Sequence, residues 1–156
     1  MKKLFFCSFQ LPALAAALLL SACNKGTSEP APAAGTAPPA GTAYTVVRTG
    51  TVMAQGGVAS GGTVDLVKAA NGAEFVRFNK DFYTDFHTGS LGIYLARSSD
   101  LIKNQRAADP GSVVRVGTIT QSGAQLLPVS GAATGYSHVI LHCDPAQYNF
   151  GAAALK

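Results

Sequence analysis

Four residues of reactive type fall within seven positions near the end of the chain: His138, His142, Cys143 and Asp144. A thiol among imidazoles is raw material for a redox centre, a cofactor ligand set or a nucleophile–base pair. Cys143 is the candidate redox thiol or cofactor ligand. His142 and His87 are its candidate partners, because a nearby imidazolium favours the thiolate. Asp85 or Asp144 could orient an imidazole. The competing expectation is that Cys143 is a small apolar residue packed in a core, where free cysteines often lie.

Spacing limits what these groups can do together. The β-branched, aromatic run from Tyr136 to Cys143 reads as a strand. Alternation puts Tyr136, His138, Ile140 and His142 on one face and Ser137, Val139, Leu141 and Cys143 on the other. The α-carbons of His138 and His142 would then stand about 13 Å apart, too far to share one ion unaided. A single thiol also falls short of the usual Cys-rich structural zinc sets, so no metal site is expected. The chain has no Gly-x-Ser-x-Gly elbow, phosphate loop or His-Glu-x-x-His motif, which argues against an ordinary hydrolase. It is not expected to be a stand-alone enzyme.

The elements that must position these residues are strands. From Tyr44 to Lys156, short β-branched or aromatic runs alternate with Gly, Asn, Asp, Ser and Pro, the pattern of all-β folds. Thr63 to Lys68 and Ala73 to Phe78 flank Asn71-Gly72, a strong hairpin signal. Leu91 to Ala96 is a further apolar run. Val113 to Thr120 and Ala124 to Val129, around Gln121-Ser122-Gly123, read as a second hairpin. Tyr148 to Phe150 reads as a short last strand. Ser99 could cap one or two helical turns through Ala107, stopped by Asp109-Pro110-Gly111. Phe75, Phe78, Phe82, Tyr83, Phe86 and Tyr94 suit core packing better than a ligand pocket, since aromatics dominate β cores. The expected fold class is all-β: a single β-sandwich or barrel-like domain of about seven to nine strands over residues 44–156.

The N-terminal residues carry an address. Lys2 and Lys3 precede an apolar run from Leu4 to Leu20, then Leu20-Ser21-Ala22-Cys23. The order is that of a cleaved export signal rather than a membrane span. The ending resembles the lipobox of bacterial lipoproteins. That resemblance implies a signal peptide over 1–22, diacylglycerol on the Cys23 thiol and a further acyl chain, such as palmitate, on the new amino terminus. Several chains together give stable anchoring where one would not. Asn24, where aspartate would favour the inner membrane, points to the outer membrane. Residues 23–43, with Pro30, Pro32, Pro38 and Pro39 among Ala, Gly, Thr and Ser, are expected to be a disordered tether reaching at most about 60 Å.

Losing Lys2 and Lys3 with the signal leaves ten basic against eight acidic residues, a side-chain charge of +2. The basic residues are scattered, so no nucleic-acid partner is expected. Cys7 would leave with the signal and Cys23 would carry lipid, which makes Cys143 the mature chain's one free thiol, in an oxidising compartment.

The closing run Ser137-His138-Val139-Ile140-Leu141-His142-Cys143-Asp144-Pro145-Ala146-Gln147-Tyr148-Asn149-Phe150-Gly151-Ala152-Ala153-Ala154-Leu155 resembles the end of the DM-thirteen domain family. Phe82-Tyr83-Thr84, Leu91-Gly92-Ile93-Tyr94-Leu95, Val116-Gly117-Thr118-Ile119 and Gly123-Ala124-Gln125 are similar to its earlier segments, in the same order. His142 stands where that family commonly has tryptophan. The resemblance implies a small all-β domain serving electron transfer or oxidative modification at cell surfaces. It also implies a cysteine, here Cys143, acting as a naked thiol or as a ligand of a prosthetic group such as haem. The expected protein is therefore a cell-envelope lipoprotein, facing the periplasm or the cell surface and held to the membrane through Cys23. In one reading it meets a redox protein partner through Cys143. In the other it is a non-enzymatic binding or structural module whose cysteine is core.

Overall fold

The structure is a computed structural model that describes residues 33–37, 39 and 41–156. Nine strands form one mixed sheet that curls into a nearly closed barrel. In chain order they are β1 (Ala33–Ala34), β2 (Tyr44–Ala54), β3 (Thr63–Ala69), β4 (Glu74–Phe78), β5 (Leu91–Ala96), β6 (Val113–Ile119), β7 (Gln125–Pro128), β8 (His138–Cys143) and β9 (Tyr148–Ala154). Around the barrel the order is β1-β6-β5-β8-β9-β2-β3-β4-β7. The all-β expectation and the strand number hold. A short helix, α1 (Ile102–Ala108), and a 3-10 turn (Pro110–Ser112) lie between β5 and β6. Among the described residues, no helix is long and apolar enough to cross a membrane.

The long strand β2 makes the corner. Tyr44 to Thr51 pair with β3, and Val52 to Ala54 pair with β9. The ladder shifts register between Val46 and Arg48, a bulge that increases local twist and lets one strand serve two sheet regions. β3 and β4 form the hairpin expected at Asn71-Gly72. Gly72 takes φ +89°, and the Asn71 side chain accepts a hydrogen bond from the backbone of Ala73. Both features belong to residues chosen for tight turns.

The second expected hairpin does not form. β6 and β7 are present, but β6 pairs with β5 and β7 pairs with β4. Residues 33–36, expected in the disordered tether, lie between them instead. Ala33 and Ala34 run parallel to Gly117 and Thr118, and Thr36 bridges Leu126 of β7. The physical reason is a twisting sheet whose two ends approach without meeting, leaving room for one extended backbone. Small residues suit that slot.

Inside the barrel, Val64, Leu66, Val76, Phe78, Leu91, Ile93, Leu95, Val139, Leu141 and Phe150 form the main core. Phe78 and Phe82 pack with ring centroids 4.3 Å apart, so the aromatic band contributes to this core. A second apolar cluster sits on the outer face, where Ile102 of α1 covers Tyr94, Ala96, Val113, Ile140 and Ala152. β5 is therefore buried on both faces. The helix starts at Ile102 after Leu101, with no side-chain cap, so Ser99 does not cap it as expected. Its end does follow the sequence: the Asp109 carboxylate accepts from the backbone of Gly111.

Candidate functional site

Strand alternation in β8 decides the surroundings of the thiol. Val139, Leu141 and Cys143 point into the barrel, and Ile140 points outward beneath α1. Cys143 is 0% exposed and belongs to the main core. It is the last residue of β8, and its carbonyl accepts from the backbone of Gln147 to close the 144–147 turn. A haem held by this thiolate would need room for its macrocycle beside the sulfur. The closed apolar packing around Cys143 does not fit such a group.

His142 is buried too, but on the outer side. Its ring meets Tyr94 edge-on, with centroids 5.8 Å apart. Nδ1 lies 2.9 Å from Oδ1 of Asn149. The amide of Asn149 donates through Nδ2 to the carbonyls of Ser99 and Asp100, at 3.3 and 3.1 Å. With Nδ2 so engaged, Oδ1 is the acceptor, and the ring donates to it through Nδ1. Gln55 donates to the Ser99 carbonyl, and Gln105 donates to those of Ser98 and Asp100. Three amide side chains thus hold the 98–101 loop against the barrel. Beside them lies a surface cleft of about 400 Å3, walled by residues 55–56, 99–101 and 148–149.

His87 stands in the loop before β5, with its side chain 86% exposed and paired with the Asp85 carboxylate. The backbone N–H of His87 does most to draw the Asp85 carboxyl below the usual range; burial opposes it, and the His87 ring adds to the lowering. Asp85 therefore does orient an imidazole, but a solvent-exposed one. Neither candidate histidine reaches the Cys143 thiol: His142 faces the other side of β8, and His87 faces water. His138 is separated as well, its Nδ1 2.9 Å from the Ser137 hydroxyl. Among the described residues, no group of three or more His, Cys, Asp and Glu could hold a metal ion.

Asp144 has a different job from orienting a histidine. It accepts from the Tyr94 hydroxyl at 2.6 Å and pairs with Arg115 at 3.0 Å. The guanidinium groups of Arg106 and Arg115 lie over the Tyr94 ring, 5.3 and 5.9 Å from its centroid. Burial, followed by the hydrogen bond and negative charge of Asp144, pushes the Tyr94 hydroxyl up to about 12; the two arginines oppose this. Sequence reasoning missed this cluster and the Gln55–Gln105–Asn149 network. Their members are scattered in the chain, and no local spacing signals them.

No family model matches the chain, and no match was found among curated proteins or solved structures. Cys23 lies outside the described residues.

Proposed function

We propose that the chain is a lipid-anchored envelope lipoprotein whose barrel is a non-enzymatic binding or structural module. Its anchor is the lipid on Cys23, in the outer membrane facing the periplasm or the cell surface. The observation that carries the reading is the complete burial of Cys143 in the main apolar core, with His142 turned away. A reactive thiol needs access, and Cys143 has none in the folded barrel. The cleft beside Asn149 is the candidate binding surface, because its loop is held by five hydrogen bonds from amide side chains rather than left loose. The lipobox-like ending supports the anchor and the compartment.

Thiol accessibility tests the reading. In the mature chain, Cys143 should resist alkylation in native buffer and react fully in denaturant, with no visible absorbance band. Rapid labelling of the folded protein, a mixed disulfide or a haem-like band would instead establish the redox function that the DM-thirteen resemblance implies. The anchor is tested separately. Cys23→Ser should abolish lipid incorporation and release the protein from the membrane fraction.

A further inference from the structure

The slot between β6 and β7 is a strand-accepting site. Its occupant, 33–36, comes from far away in sequence. On one side the backbone N–H of Gly35 donates to Thr118 at 2.8 Å. On the other, Thr36 and Leu126 exchange both backbone hydrogen bonds, at 3.2 and 2.7 Å. Without that segment, β6 and β7 would each present an open edge, the surface on which chains pair with other chains.

The slot selects small residues. A Cβ on Gly35 would come within 2.6 Å of Oε1 of Gln125 and 3.2 Å of the Ile119 side chain. A Cβ on Gly117 would collide with the carbonyl oxygen of Ala33. Ala34 itself is exposed. The segment is therefore held mainly by backbone hydrogen bonds and buries little apolar surface, which marks it as an element that opens at low cost.

The chain also carries this segment twice. Pro32-Ala33-Ala34-Gly35-Thr36-Ala37 is followed at once by Pro38-Pro39-Ala40-Gly41-Thr42-Ala43. The two hexapeptides differ only at their second residue. Between the slot of its own barrel and β2, Gly41 takes φ +81° and the backbone N–H of Thr42 donates to Pro39. Two adjacent prolines in the same connection favour extension over reversal. That combination, a weakly held strand and a connection biased toward extension, is the setting for strand exchange between identical copies.

We propose that the β6–β7 slot accepts the Ala34–Thr36 segment of a second copy of this chain, forming a strand-exchanged assembly. Exchange preserves every hydrogen bond of the closed barrel, so its cost is the loss of translational freedom. Crowding on a membrane lowers that cost. Only this last point rests on the anchoring reading above; the exchange itself needs no membrane.

Cross-linking of single-cysteine chains tests it in solution. The mature chain carrying Cys23→Ser and Cys143→Ser is made in two forms, Ala34→Cys and Thr118→Cys, at positions paired in the closed barrel. The two are mixed, unfolded and refolded together, then oxidised. A disulfide between the two forms, increasing with protein concentration and lost when the donor chain also carries Gly35→Val, is the expected result. Absence of that product at every concentration overturns the proposal, provided the double variant Ala34→Cys/Thr118→Cys closes its own disulfide. A product that persists with Gly35→Val overturns it as well. Circular dichroism of each variant reports that the barrel has formed. None of these outcomes depends on lipid or on the reactivity of Cys143.

Discussion

Asp65 Oδ2 lies 2.7 Å from Nη2 of Arg77, directly across the β3–β4 ladder. The carboxylate is almost fully buried, and it also accepts from Thr49 and Asn79. This is the most completely paired charge of the barrel wall, and its location on the strands beside the β2 corner ties acid stability to the fold.

Burial alone would raise the Asp65 carboxyl, but hydrogen bonds from Thr49, Arg77 and Asn79 and the Arg77 charge together hold it below its ordinary value. Its stabilising contribution is therefore complete above the unfolded value of about 3.9 and is lost as pH falls through the lower folded value. Asp65→Asn should cost about 3 kcal/mol, the low end for breaking a buried pair, since Arg77 keeps some solvent contact. It should also flatten the acid limb of the stability curve. Urea titrations from neutral pH down into the acid range check both effects; an unchanged acid limb would refute the assignment.

Tyr94 governs the alkaline side. With its hydroxyl pushed up to about 12 in the folded state, against about 10 unfolded, its contribution is intact below the unfolded value. It is lost as pH rises through the folded one. Tyr94→Phe should remove the highest-titrating step from the tyrosinate absorbance curve. It should also lower stability at neutral pH by about 1 kcal/mol, through loss of the hydrogen bond to Asp144. Amplitude lost near the ordinary tyrosine value of about 10 instead would contradict the buried Tyr94–Asp144 pair.

The slot that closes the barrel should be the first region to open. Gly117→Val puts a branched side chain against Ala33, where even a Cβ collides. The expected outcome is a loss of about 1–3 kcal/mol, as for other overpacked sites. Amide protection should fall at Gly35 and Leu126, while β5, β8 and β9 retain theirs. Hydrogen exchange resolved by residue distinguishes this from general destabilisation, which would lower protection in all strands alike.

Much of the fold was legible because strands announce themselves locally. Alternation within His138 to Cys143 correctly separated Cys143 from His142, since side chains on a pleated strand have no choice of face; Tyr136, expected on the His142 face, precedes β8 and packs against the main core. Asn71-Gly72 marked its hairpin because Gly72 takes the positive φ the turn demands and the Asn71 side chain accepts from the backbone of Ala73. The 121–123 turn was equally visible, yet its flanking strands part. A turn signal reports that the chain reverses, not that the arms pair. β9 extends to Ala154 rather than stopping at Phe150. Gly151 to Ala153 look weak as strand formers, but β2 and β8 supply hydrogen bonds on both sides.

The sequence alone determined that the domain is β, because composition, alternation and turn residues act over a few positions; a lone thiol behind an export address was its further expectation. Only the tertiary structure decided what that thiol and its neighbours can do. It enclosed Cys143 in the core, tied His142 through Asn149 to a loop more than forty residues away, and set Asp144 on Tyr94. It also drew 33–36 from the tether into the barrel wall. Each of these joins residues distant in the chain, and such contacts are set by how the whole sheet closes rather than by any local pattern.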